Sequence, residues 1–399
     1  MTLLKKIYDP HSLIITVLIF LFISLFRFLF LNMHFLDPFN NGLRDYEISD
    51  IVYSQFRDPD EVEPVPEIVL INTGLPDRVA LATMLQRLKK AAPKVVAVDI
   101  ELDGRKDSLT DAILKAAIDD MPQIVLAGRL VRYDPSERLF DPLANCDPYF
   151  SENATMGYTN FVSEDTSTIR FFAPYEETTD SIVRAFAIEA VKKYDPEKSK
   201  KFFRRRNKVE LIYYTGNQNS FARLEAAHLL DSTTFQGVLE QALLKDKIVI
   251  VGYIGTHEPG EPELDRFFTP LNKRYTGKAY PDMYGAVIHA NIATMVLREK
   301  YVFEFPKWFI TVFSWIFCYA NVFIFYRVYN EVNATFHGIT RLLQIIEVIL
   351  IFFMVAFFFY YFRVKIDFNQ GILAMILGYE FVMIYETLIR HRIKFLQNL

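Results

Sequence analysis

The chain has 399 residues, 51% of them hydrophobic and 15% aromatic, with 23% charged and a formal net charge of −4. That is too apolar for a purely soluble protein and too charged for one that lives wholly in lipid, and it is neither collagenous, disordered nor disulfide-dense. The charge is also uneven: residues 35–305 hold 33 basic and 42 acidic side chains, a net of −9, which argues against nucleic acid as the main partner because phosphate binding asks for a basic footprint.

Ser12–Met33 is an apolar run of 22 residues interrupted by Arg27, long enough to cross a hydrocarbon core of about 30 Å. Lys5 and Lys6 precede it, and no small-x-small cleavage site follows, so it reads as an uncleaved anchor with a cytoplasmic N-terminus. After it, strand and helix patterns alternate. Glu67–Asn72 has strand length, and Arg78–Ala92 has helical apolar spacing that ends at Pro93. Lys94–Ile100 is a β-branched run suited to a strand buried on both faces, followed by a helix over Asp107–Ile118 and a strand over Gln123–Leu126. Met156–Phe161 and Ile169–Ala173 read as a hairpin, Ser181–Tyr194 as an amphipathic helix, Val209–Tyr214 and Lys247–Val251 as strands, and Met283–Leu297 as the helix that leads into the membrane. The fold class predicted is an α/β domain with a mixed, largely parallel sheet and flanking helices, plus four transmembrane helices, one N-terminal and three C-terminal.

The last three spans are Trp308–Tyr326, Leu342–Phe362 and Gly371–Ile389. Lys5, Lys6, Arg327, Arg341, Arg390, Arg392 and Lys394 fall on one side and Lys307, Arg363 and Lys365 on the other, which places both termini in the cytoplasm. The expected organisation is 1–34 for the N-terminus and first span, 35–305 for an extracytoplasmic domain, and 306–399 for three spans and a short tail. Cys146 and Cys318 fall in different segments and cannot pair with each other.

Four stretches carry a resemblance: KVVAVDI at Lys94–Ile100, GYTNFVSEDTSTIR at Gly157–Arg170, DKIVIVG at Asp246–Gly252, and DRFFTPL at Asp265–Leu271 with YGAVIHANIATMVL at Tyr284–Leu297. In order and spacing they resemble the CHASE type 2 extracytoplasmic sensor domain of bacteria over about residues 40–300, and the plan of one helix before the domain and three after is similar too. The resemblance implies the input module of a membrane receptor of the bacterial cytoplasmic membrane, commonly followed by a nucleotide cyclase, a kinase or another output domain. The first helix region, NTGLPDRVALATML, lacks the longer insert usual there, and ten residues follow Ile389, so the expected output domain is separately encoded.

Candidate site residues each have a plain alternative. Asp99, ending an apolar strand, can join Glu101 and Asp103 around a cation or simply cap the next loop. Asp265 follows the acidic loop Glu258–Glu263, which can bind a hard ion or form a solvated turn. Arg170 and Asp165 can pair across the hairpin turn, and His289 can sense pH or pack where the domain meets the membrane. The basic run Lys198–Lys208 is a solvated linker or a surface for lipid headgroups or an acidic partner. Within the spans, Arg27 and Glu380 are expected to meet, while Glu347, Glu386, Arg390, Arg392 and Lys394 are candidates to face a partner. No HExxH, GxSxG, P-loop, paired CxxC or zinc spacing is present, so no catalysis, metal or cofactor is expected. The reading is a non-catalytic sensor subunit acting on a separately encoded output protein across the lipid bilayer; the alternative is a scaffold subunit of a cell-envelope complex, and a homo-oligomer fits either.

Overall fold

The computed structural model describes residues 8–31, 47–57, 63–161, 168–255, 264–273, 280–331 and 337–393. Two compact units emerge, one of Tyr53–Val302 and one of Met1–Val52 with Phe303–Leu399. The labelled elements run α1 (Pro10–Leu31), β1 (Val65–Asn72), α2 (Arg78–Ala91), β2 (Val95–Asp99), α3 (Ser108–Asp119), β3 (Ile124–Gly128) and β4 (Thr155–Tyr158). They continue with α4 (Phe186–Tyr194), α5 (Pro196–Phe203), β5 (Phe221–Glu225), α6 (Ala226–Leu230), α7 (Ser232–Glu240), β6 (Ile248–Gly252) and α8 (Gly285–Leu297). The chain closes with α9 (Lys307–Glu331), α10 (His337–Phe362) and α11 (Asn369–Ile384).

The Tyr53–Val302 unit is built on a six-stranded sheet in the order β5-β1-β6-β2-β3-β4, with every neighbouring pair parallel. Parallel strands are covered on both faces, which is why Val95–Val98 and Ile248–Val251 are continuous β-branched or apolar runs. Val69, Ile71, Val96, Val98, Ile124 and Leu126 pack under α2, α3, α6 and α7 in one buried cluster. Alternation of side chains along each strand sends Ile68, Leu70, Val95 and Ala97 to the other face, where α4 and α8 pack. Asp77 starts α2 by accepting from the Ala80 amide at 2.7 Å, and Lys89 and Lys90 complement its last turn. Helix α8 is buried from Gly285 through Val296, so it is a central core helix of this unit rather than a helix entering the membrane.

Three expectations need correction. Met156–Phe161 and Ile169–Ala173 do not pair with each other: Thr155–Tyr158 joins the edge of the main sheet beside β3, and Phe171–Phe172 pairs antiparallel with Glu210–Leu211. Pairing with distant partners won over the local turn, and residues 162–167 of that turn lie outside the described residues. The segment Ser181–Tyr194 is split, because Ile182–Arg184 forms a hairpin with Tyr175–Glu177 before α4 begins at Phe186. The basic run is no free linker: α5 carries its first part, with Lys198 on Glu299 at 2.5 Å, and past the helix Arg205 holds Glu210 at 2.7 Å. Edge strand β5, parallel to β1, has a polar-interrupted sequence (FARLE) that periodicity did not single out.

In the second unit, four helices are long and apolar enough to cross a membrane: Pro10–Phe28, Lys307–Glu331, Gly338–Phe362 and Asn369–Arg392. Helix α11 packs against α1, α9 and α10, and Ile15, Ile19, Val322, Ala374 and Val382 form part of a common core.

Candidate functional site

The register of the sheet sets out a row of residues at its carboxyl edge. Asn72 stands beside Glu225 on one side and Gly252 on the other, and Gly252 stands beside Asp99. The chain leaves β1 for β2 two places away, and β6 later fills the gap. Such a topological switch point opens a crevice beyond the carboxyl ends of parallel strands. A cavity of about 990 Å³ lies there, lined by residues at or just past the ends of five different strands, among them Thr73, Asp99, Arg129, Thr159, Phe161 and Tyr253, and by Asp265 together with Gly285 and His289 of α8.

The loops around this cavity are fixed by side-chain amides. Asn72 donates to Glu225 and to the Gly255 carbonyl, both at 2.7 Å, and accepts from the Ile254 amide at 2.9 Å. Asn160 accepts from the Leu130 amide at 2.7 Å and donates to the Leu130 carbonyl at 3.1 Å, joining the loops that follow β3 and β4. Two glycines allow the close approach of the acidic groups. A Cβ on Gly252 would lie 3.3 Å from the Asp99 Cβ, and one on Gly285 would lie 2.6 Å from Asp265 Oδ2. Asp265 itself adopts the left-handed region, φ 55°, which turns its carboxylate onto the N-terminus of α8.

Asp99 is half-buried and Asp265 exposed, and both line the cavity. Surrounding protein strips water from Asp99, and the like charges of Asp265 and Glu101 add to that, so its carboxyl is held well above the usual carboxylate range. Asp265 is shifted the same way by desolvation and by Glu101, with the Gly285 amide and Arg129 opposing. Among the described residues neither carboxylate has an ion-pair partner. Glu101, about half exposed at the mouth, is 3.4 Å from Arg129, which is equally open. His289 is 2% exposed, lies between the rings of Phe161 at 4.8 Å and Phe186 at 5.2 Å, and has no hydrogen-bond partner for Nδ1 among the described residues. Burial pushes its pKa down to about 3, so it stays neutral near pH 7 and does not titrate there as a pH sensor.

The structure therefore gathers Asp99, Glu101, Asp265 and His289 around one space, although they come from three separate stretches of sequence. Asp103 is exposed and does not line it. Among the described residues no group of three or more His, Cys, Asp or Glu is placed to hold a metal ion. Glu258, Glu261, Glu263 and Asp165 lie outside the described residues, and Arg170 is buried away from the cavity lining. Cys146 is half-buried, and burial pushes its thiol up to about 11. Asn72, Arg129 and Asn160 were not singled out from the sequence; their position one or two residues past apolar runs is the signal that marks them.

In the helical unit the expected Arg27–Glu380 contact is replaced. Glu380 pairs with Arg341 of α10 at 3.0 Å, because α11 offers it to α10 rather than to α1, and Arg27 is exposed. Glu347 accepts from Asn321 Nδ2 at 2.6 Å, and Gln344 donates to the Met375 carbonyl at 2.6 Å, so the polar groups of α9, α10 and α11 hold one another. Glu386 is buried and pairs with Arg390 at 2.8 Å, which occupies it internally rather than leaving it for a partner. Arg392 is exposed, and Lys394 lies outside the described residues.

Comparison with known proteins adds one finding. The family model described as CHASE2 domain matches residues 14–325, a span that takes in most of α1, the whole α/β unit and most of α9. No curated protein and no solved structure matches the chain. The chain belongs to the CHASE2 domain family, a family of sensor domains, and its four apolar helices make it a multi-pass membrane protein.

Proposed function

We propose, from this membership, that the protein is a non-catalytic sensory subunit: its α/β domain lies outside the cytoplasmic membrane of a bacterium, binds a cue, and passes the signal through the four helices to a separately encoded output protein. The observation that carries the reading is the cavity at the switch point, whose size suits a small ligand and whose lining combines aromatic rings with convergent polar groups. Polar contacts between α9, α10 and α11 support the relay, since hydrogen bonds such as Asn321–Glu347 have to be remade if the helices shift. The exposed basic residue Arg392, with Arg390 beside it, supports cytoplasmic termini.

The test is extraction of the tagged full chain in mild detergent at native expression, followed by mass spectrometry. Co-purification at fixed ratio of a protein that carries a cyclase or kinase domain is the expected result. A stoichiometric set of envelope proteins with no such domain overturns the relay and makes the chain a scaffold subunit. Fusing a periplasm-active reporter within residues 35–305 gives signal if the domain lies outside the cytoplasm and none if the orientation is reversed.

A further inference from the structure

Electrostatics divide the cavity into a floor and a mouth. Asp99, half-buried on the floor, and Asp265, exposed beside it, have no ion-pair partner among the described residues; of the cationic lining groups, Arg129 faces Glu101 and is exposed, as is Lys106, and Arg266 lies over the Tyr284 ring at 5.2 Å. Two carboxylates without ion-pair partners at that end disfavour a carboxylate or phosphate beside them. The N-terminus of α8, where an anion would otherwise find free amides, is taken by the Asp265 carboxylate. His289, one turn further along α8, is buried yet lacks a partner for Nδ1 among the described residues, and in the Nε2-protonated tautomer of a neutral imidazole Nδ1 accepts a hydrogen bond. A buried acceptor with nothing to bind costs stability, which marks it as awaiting a donor. The rings of Phe161 and Phe267, 5.2 Å apart and edge to face, supply an aromatic wall that favours an organic body and attracts cations.

We propose that this cavity binds a small organic primary amine, its ammonium group seated among the carboxylates of Asp99 and Asp265 and the Nδ1 of His289, with the carbon skeleton against Phe161 and Phe267. An ammonium offers three N–H donors to three acceptors, and each carboxylate contact is a charge-assisted bond. The cation also relieves the repulsion between the two aspartates. This rests on the sensor reading above and names the chemistry of its cue.

The experiment is thermal unfolding of the full chain in mild detergent with putrescine and tyramine, against 1,4-butanediol, succinate and calcium chloride as controls. A concentration-dependent rise in melting temperature with the amines alone is expected, because binding to the native state stabilises it. Asp99→Asn and Asp265→Asn each weaken that response by about tenfold or more, as loss of a charge-assisted bond implies. His289→Phe weakens it by a smaller factor. Circular dichroism establishes that each variant is folded, and Glu101→Gln at the mouth, expected to change the response less than about threefold, distinguishes the floor from general negative charge. Stabilisation by succinate and not by the amines overturns the amine assignment while leaving a sensing cavity in place. Saturation by calcium chloride alone, lost in the same variants, makes the site an inorganic cation site and overturns it as well. If no amine shifts the transition, the amine assignment fails; the sensor reading fails separately, only if the output-domain partner is also missing from the purified complex.

Discussion

Asp111 and Asp99 belong to the same α/β unit and meet opposite fates. Asp111, on α3, is 1% exposed and bound by the Arg78 guanidinium and by the Lys106 amide at 2.9 Å, with Arg105 at 3.8 Å. Arg78 in turn lies over the Phe150 ring at 4.9 Å, and the pair closes the packing of α2 against α3. Asp99 ends β2 among like charges and faces open space. The first arrangement uses charge to hold the fold. The second leaves a carboxyl without an ion-pair partner among the described residues, so that ionising it weakens the fold unless a cation enters, and that is what distinguishes a binding floor from a structural ion pair.

Breaking the structural pair is expected to have the largest effect. Arg78→Met leaves buried Asp111 with only the Lys106 amide and the more distant, exposed Arg105, costing about 3 kcal/mol, and hydrogen exchange across α2 and α3 should accelerate accordingly. If exchange is unchanged, the contrast between the two aspartates is wrong. Asn72→Leu comes next. It removes the bonds to Glu225, Gly255 and Ile254 that join the loops around the cavity, for a loss of about 2–3 kcal/mol read from the melting temperature, with amine binding lost in parallel.

The other side of the comparison predicts a gain. The folded-state pKa of Asp99 is raised above its unfolded value, so the fold favours the protonated carboxyl. Its stabilising contribution is complete below about pH 4 and is lost as pH rises through the folded value. Asn cannot ionise, so the melting temperature of ligand-free Asp99→Asn should exceed that of the parent by a margin that grows from about pH 5 to about pH 8. His289 behaves oppositely: its lowered value means that its contribution is present above about pH 6.5 and lost as pH falls toward about 3. Because parent and variant share it, it cancels in the difference. A margin that shrinks with rising pH would show that Asp99 is paired after all.

The smallest effects belong to the helical unit, where charges meet close to their own helix or the next. Arg341→Leu leaves the Glu380 carboxylate of a span without its partner and should cost about 1–2 kcal/mol, whereas Arg27→Leu, which breaks no ion pair among the described residues, should leave the melting temperature unchanged. A large loss with Arg27→Leu and none with Arg341→Leu would restore the contact between α1 and α11 that the sequence suggested.

Much of the architecture was legible in the chain. The apolar runs of α1, α9, α10 and α11 and the β-branched runs of β2 and β6 declare themselves, because a membrane span or a strand buried on both faces requires nearly every position to be apolar. The candidate site was legible in part. Asp99, Glu101, Asp265 and His289 stood out one at a time, each beside an apolar run, but nothing local says that residues more than 150 positions apart line one space.

What the sequence determined by itself was the division into an acidic α/β unit and apolar helices, since composition and periodicity are properties of a chain read in order. What only the tertiary structure decided was partnership. It placed Glu380 on Arg341, sent Thr155–Tyr158 to the edge of the sheet rather than into a hairpin, and set Asp99, Asp265 and His289 around one cavity. Partnership depends on strand order and on which helix face meets which neighbour, and those follow from the packing of the whole unit, where many distant contacts are optimised together.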